Sequence, residues 1–229
     1  MDLRTFLSAS IAAIACAIFA AAFPAFAQNE AADHVSRALT TFSNFERDPQ
    51  MTWFQEHVAR ARGILIVPEV VRAGFVFGGS GGRGVLVVRD PKTNRVSAPA
   101  FYSLATASFG LQAGVDVSEV VMLAMTEKAV NSLLSNSFKL GGDASIAAGP
   151  VGAGAKANVV ADFISFSRAK GLYGGLNLDG TVITVNNDWA QTYYGKPVLA
   201  PDILIRNAVS NKQAEPLLDA VSKAGAPKK

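Results

Sequence analysis

The sequence predicts an α+β fold: a strongly coiled or barrel-like antiparallel sheet with helices at both chain ends and one inserted helix. Three observations predict it. Apolar residues recur at helical spacing near both ends of the chain. Between them lie short β-branched or alternating runs joined by turns rather than by crossover helices, which is the mark of antiparallel pairing. Twenty glycines and fourteen phenylalanines, in a chain that is 50% hydrophobic and 17% charged, suit a tightly turning packed sheet and exclude a wholly disordered chain.

Residues 1–27 read as a secretory signal peptide. Arg4 and the α-amino group form a positive start that Asp2 weakens, and an apolar run follows from Ile11 to Ala22. Pro24 breaks the run, and Ala25-Phe26-Ala27 places small residues where signal peptidase reads, so cleavage is expected after Ala27. A retained membrane anchor is the competing reading, but the apolar run is short for a span. A lipoprotein cysteine at Cys16 is another; Ala13 stands where a large aliphatic residue would be wanted. The folded domain is then 28–224, exported to the periplasm or beyond, with 225–229 a flexible tail.

In the domain, Val35, Ala38, Leu39, Phe42 and Phe45 form one apolar helical stripe, and Asp48-Pro49 stops that helix and starts another. The second helix carries Trp53, Phe54, Val58 and Ala61 on its apolar side. Strands are expected at 64–67, stopped by Pro68, at 74–77 and at 85–88, followed by a polar turn over 90–94. Further strands are expected over 101–111 and 117–125, then a helix from Thr126 to about Asn136. The small-residue stretch after Leu140 suggests close-packed strands at 145–147 and 153–159. Residues 163–167 alternate, and 177–180 reads as a hairpin turn before a strand at 182–185. A short helix from 187 to 194, closed by Gly195, precedes a terminal helical pair beginning at Pro201.

A net charge of +3 gives no argument for bulk nucleic-acid binding, and one cysteine with two histidines excludes a disulfide framework or a Cys/His-rich zinc site. No metal or other cofactor is expected. Gly79, Gly81 and Gly84 satisfy a dinucleotide-loop spacing, but that loop must open a helix, and here a strand follows; a glycine-bent hairpin is expected instead. His34 and His57 share no helical face and read as exposed or interface residues. Asp116, Glu119, Asp143, Asp162, Asp179 and Asp188 are scattered, and no nucleophile elbow appears, so nothing positive points to catalysis. Basic residues crowd positions 60–95: Arg60, Arg62, Arg72, Arg83, Arg89, Lys92 and Arg95 against Glu69 and Asp90. They form either a solvated face or a footprint on an anionic lipid surface. Phe42, Phe45, Trp53 and Phe54 are either helix-to-sheet core or anchors inserted beside it.

The ordered motifs at 74–87, 97–100, 109–114, 116–122, 139–152, 165–180 and 189–195 resemble the SYLF lipid-binding domain family, over about residues 35 to 210. The resemblance implies lipid binding without catalysis. For an exported member it implies anionic phospholipids and peripheral membrane association, with no nucleic acid involved. The expected contact set is Arg60, Arg62, Arg72 and Arg83 with Phe42 and Trp53. The alternative is an envelope interaction module that binds a protein partner through its N-terminal amphipathic helix.

Overall fold

The computed structural model of the chain describes residues 30–74, 77–90, 92–109, 114–154, 158–174 and 178–225. The expected signal peptide and residues 226–229 lie outside the described residues. Helix α1 includes residues 30–47, and Asp48 ends it by accepting the Gln50 N–H at 2.9 Å in the 3-10 turn Pro49–Met51. Helix α2 (Thr52–His57) leads to strands β1 (Gly63–Gly74), β2 (Phe77–Val88), β3 (Ala100–Phe109) and β4 (Gly114–Ala124). Helix α3 (Glu127–Leu133) is followed by β5 (Ser137–Lys139), β6 (Ile146–Ala148), β7 (Phe163–Ala169), β8 (Leu172–Gly174) and β9 (Val182–Val185). Helices α4 (Asn187–Tyr194), α5 (Ala200–Leu204) and α6 (Glu215–Ala224) complete the chain.

Among the described residues the strands form one sheet, ordered β5-β9-β3-β2-β1-β4-β7-β6, with β8 added to β7. It curls strongly into a half-barrel. The pairs are antiparallel, except that β6 runs parallel to β7. Strand β1 does not stop at Pro68. The ladder shifts register between Ile66 and Glu69 toward β2, and between Val67 and Val70 toward β4. Proline lacks an N–H, and a bulge is where a strand can leave a residue unpaired while bending more sharply.

The glycine run 78–84 is likewise not a hairpin but the first half of β2. It faces the bulge closely. A Cβ on Gly82 would lie 2.6 Å from the Glu69 carbonyl oxygen, and one on Gly84 would lie 2.9 Å from a Leu65 methyl carbon. Gly74 pairs with Gly78, so the expected strand at 74–77 is divided between the end of β1 and the start of β2, with 75–76 outside the described residues. The segment 153–159 is not a strand where it is described, and β9 pairs with β3 and β5, so 178–180 does not close a hairpin with β8.

Helix α1 crosses the sheet and touches successive strands one turn apart. His34 Nε2 meets the Arg83 carbonyl on β2 at 3.1 Å, and Arg37 pairs with Glu69 on β1 at 3.6 Å. Thr41 donates to Glu119 on β4 at 3.0 Å, and Tyr173 on β8 donates to the Asn44 carbonyl at 3.1 Å. The match is geometric: one helical turn rises about 5.4 Å and strands lie about 4.8 Å apart. The apolar side of the same helix, Val35, Ala38, Phe42 and Phe45, is buried in the core. There Phe54 packs against Phe42 and Phe45 at ring separations of 6.1 Å, and against Phe166 at 5.4 Å.

Candidate functional site: a basic cleft at one end of the sheet

The crowding of basic residues between 60 and 95 resolves through the β1–β2 hairpin. Arg62 immediately precedes β1, and Arg89 immediately follows β2, so antiparallel pairing returns them side by side. The Arg89 N–H donates to the Arg62 carbonyl at 2.7 Å, and the Arg62 N–H donates to the Ala124 carbonyl at 2.9 Å. The next turn is built by Asp90, whose Oδ1 accepts the Lys92 N–H at 2.7 Å and the Thr93 N–H at 3.2 Å. Those bonds hold the Asp90 carboxyl below the usual carboxylate range. Asn94 takes a positive φ of 56°, and the Asp90 N–H donates to the Arg95 carbonyl at 2.9 Å. The turn thereby brings Lys92 and Arg95 beside Arg62 and Arg89 on one cavity of about 450 Å³.

Helices α3 and α5 form the facing walls. Their aliphatic contribution is Val130, Leu134, Leu204 and Ile205, and Ile205 is 52% exposed. Asp90 and Glu127 are the acidic residues among the lining, so four cations face two carboxylates. None of the four cations makes a salt bridge among the described residues.

Arg89 is the unusual member. It is only 6% exposed. Its Nη2 donates to the Val221 carbonyl near the end of α6 at 2.9 Å and its Nη1 to Asn94 Oδ1 at 3.3 Å, while its Nε has no partner. Burial pulls its pKa down from the ordinary arginine value. Gly225 is forced by this packing, because a Cβ there would stand 1.2 Å from Arg89 Nη1. The guanidinium bonds a backbone carbonyl and an amide oxygen, and it makes no salt bridge among the described residues.

The other expected contact residues do not join this cleft. Arg60 is exposed at the end of the 3-10 turn Val58–Arg60 and is not among the cleft lining. Arg72 lies ten positions along β1 from Arg62, about 33 Å at strand rise. It stands in register with Asp116 on β4 and Ser80 on β2. Arg83, in register with Glu69, projects from the opposite face of the sheet. It pairs with Glu30 at 3.6 Å and lies 4.6 Å over the Trp189 ring. Phe42 and Trp53 are 1% and 3% exposed, so they are core and present no anchor to a membrane. The four arginines therefore do not form one footprint. A helix-sheet fold hides its aromatic stripe, and a strand sends neighbouring side chains to opposite faces.

His34 corrects the expectation of an exposed histidine. It is buried, stands edge-on to Trp189 at 5.1 Å, and burial followed by the nearby Arg37 charge pulls its pKa down to about 4. His57 is half-buried, its ring stacked on Trp53 at 3.7 Å with Nδ1 2.8 Å from the Trp53 carbonyl. The expected acids are structural wherever their partners appear. Glu119 serves Thr41 and Arg168, and Asp143 accepts the Lys139 N–H at 2.7 Å. Asp162 ties Thr126 to Ser145, and the Thr126 hydroxyl does most to hold its carboxyl down near 2. Among the described residues no group of His, Cys, Asp and Glu could hold a metal ion, and no helix is long and apolar enough to cross a membrane.

Sequence reasoning missed one surface. Val71 pairs in register with Val117 and Gly81, and Ala73 with Val115 and Gly79. Gly81 and Gly79 pair in turn with Ala105 and Ala107. These residues share one face at the far end of the long strands, and Val71, Val115 and Val117 are 39%, 71% and 49% exposed. Alternation along each strand carries the signal, but only the register reveals that the four strands put their small and aliphatic residues on the same side.

Residues 105–224 match the family described as "Ysc84: Las17-binding protein actin regulator". The chain is 33% identical over 166 residues to Protein YSC84 of Saccharomyces cerevisiae, covering 69% of this chain and 35% of that protein. It is 29% identical over 167 residues to the human SH3 domain-containing YSC84-like protein 1, covering 71% and 48%. It is also 34% identical over 152 residues to yeast LAS seventeen-binding protein 3, covering 63% and 33%. The chain thus spans between a third and a half of the length of these relatives.

Proposed function

This chain belongs to the Ysc84 (SYLF) domain family, and from that premise we propose that it is a non-catalytic module that associates peripherally with anionic phospholipid membranes. The observation that carries the reading is the basic cleft: Arg62, Arg89, Lys92 and Arg95 on one cavity, none in a salt bridge among the described residues. Unpaired cations on one end of a rigid sheet are what an anionic surface attracts. Each basic side chain near such a surface contributes about 1 kcal/mol, and the attraction fades within a Debye length of about 8 Å at physiological salt. The reading includes export after removal of residues 1–27, which brings the module to envelope phospholipids. No bond-making step is part of it.

Vesicle flotation tests the proposal. The purified protein is expected to float with phosphatidylglycerol-cardiolipin vesicles at low salt, and to stay behind with phosphatidylcholine. Replacing Arg62, Lys92 and Arg95 together by Gln should weaken recovery on the anionic vesicles by about a hundredfold in affinity, from roughly 1 kcal/mol per charge. Equal recovery on anionic and zwitterionic vesicles would overturn the reading.

A second reading, a protein partner, is favoured by the exposed face around Val71, Val115 and Val117, since contiguous apolar patches mark interaction sites. The family description names Las17 binding and actin regulation for its members. The partner would not dock on the apolar side of α1, which is already buried against this chain's own sheet. A Val117→Arg variant that loses a stoichiometric partner while keeping vesicle binding would support this reading over the first.

A further inference from the structure

Helix α1 covers the sheet as far as the row of Arg83, Glu69 and Glu119, and the face beyond that row is open. Val117, Val71, Gly81, Ala105 and Val182 stand in register across β4, β1, β2, β3 and β9, and all five are exposed. In the next row Ala73 and Ala107 are exposed, and so is Val115. Registered neighbours share a face, so valines stand around a floor of glycine and alanine. Core packing does not forbid a side chain at Gly81, where a Cβ would meet its nearest atom at 3.6 Å, so the low floor belongs to the outer face. Five strands about 4.8 Å apart make the strip about 19 Å long, and Val71 to Gly74 makes it about 10 Å wide. About 200 Å² is far short of the roughly 800 Å² per partner of a standard interface between two proteins, but it suits one helix about 10–12 Å across.

The chain ahead of α1 supplies such a helix. Leu7, Ile11, Ile14 and Ile18 recur at i, i+4, i+7 and i+11, which puts four large aliphatic side chains on one helical face, with Ala12, Ala13, Cys16 and Ala20 on the other. From Leu7 to Ile18 a helix rises about 16 Å, within the length of the strip. Glu30 in the first turn of α1 pairs with Arg83, two residues along β2 from Gly81, so the preceding chain joins the fold beside the strip. Pro24 ends a helix, and residues 23–29 reach up to about 23 Å, more than the roughly 8–10 Å between packed helices. We propose that in the unprocessed chain residues 7–18 fold back as a helix antiparallel to α1, seating Leu7, Ile11, Ile14 and Ile18 on the strip among its exposed valines. Cleavage after Ala27 uncovers the strip, which makes access to this face a consequence of processing. The docking goes beyond both functional readings above and depends on neither.

Cys16 is the one cysteine in the sequence and falls on the side of that helix away from the strip, so a nitroxide attached to it tests the docking without a mutation. The sample is the full chain 1–229 with isotope-labelled valine methyls, refolded without detergent or lipid. The methyl signals of Val71, Val115 and Val117 are expected to lose most of their intensity to the oxidised nitroxide and to regain it on reduction, while Val221 on α6 keeps its own. A mixture in which one set of chains carries the nitroxide and another carries the isotope should leave all four signals unchanged, because the contact lies within one chain. Ile14→Asp, a change outside the folded domain, should restore the three valine signals, and Val117→Arg should restore those of Val71 and Val115. Full intensity in the native chain, broadening that survives Ile14→Asp, or broadening between different chains would overturn the docking. A chain that dissolves only as an oligomer would overturn it too, since leader and strip would then be covered between copies. No vesicle enters this measurement, so its failure leaves the flotation result standing.

Discussion

Acidification from pH 7 to pH 4.5 is expected to remove about 2.5 kcal/mol of folding stability through His34 alone. In the folded chain this imidazole is buried between α1 and the sheet, edge-on to Trp189, with Arg37 and Arg83 nearby. Desolvation and those cations hold its pKa at about 4, against an ordinary 6.5. The unfolded chain therefore takes up a proton as the pH falls below 6.5, while the folded chain stays neutral until about 4. Stability is lost across that window and levels off below it, at about 1.4 kcal/mol per pH unit within it. Asp162, held near 2, acts in the same sense but in a lower window: its contribution is present above 3.8 and is lost between 3.8 and 2, outside the range tested. Urea unfolding midpoints of the native chain and of His34→Gln should be measured at half-unit steps from pH 7 to 4.5. Glutamine keeps an N–H for the Arg83 carbonyl but cannot titrate, so the two stability curves should converge as the pH falls. Parallel curves would refute the burial argument.

Two packing predictions accompany it. Gly82→Ala pushes a Cβ to 2.6 Å from the Glu69 backbone oxygen and should destabilise by about 1–3 kcal/mol, whereas Gly81→Ala, with its nearest atom at 3.6 Å, should be close to neutral; equal unfolding midpoints would discard the close-approach reading of the glycine run. Phe42→Ala should cost about 3–5 kcal/mol by chemical denaturation, because the ring is buried among Phe54 and the sheet, while a membrane anchor at that position would leave stability unchanged and reduce only vesicle binding.

Much of the helical framework was legible because helix signals are local. Asp48 caps the turn that its Asp-Pro pair announces, Thr126 caps α3 through the Ala129 N–H, and Gly195 closes α4 at a φ of 69°. The sheet was less legible because its rules are pairwise. Pro68 and the glycines 78–84 look like breakers in one dimension, but Pro68 lies in the bulge of β1 and Gly82 and Gly84 face that bulge from β2, where the proline lacks an N–H to pair and the two glycines leave room for close approach. For the candidate site, the basic crowding was visible and its grouping was not. Arg62, Arg89, Lys92 and Arg95 meet, whereas Arg72 and Arg83 go elsewhere, because strand alternation and hairpin return act on positions whose register the chain alone does not state.

From residue order alone came the α+β class, the caps, the amphipathic stripes, the family resemblance and the absence of any nucleophile or ligand pattern, all of which depend on neighbours a few residues apart. Folding in three dimensions decided which cations share a cavity, that Phe42, Trp53 and His34 are inside, and that Arg89 is buried with an open donor. Those outcomes depend on contacts between distant segments, such as Arg89 with Val221 or His34 with Arg83, and on the desolvation that only a closed core imposes.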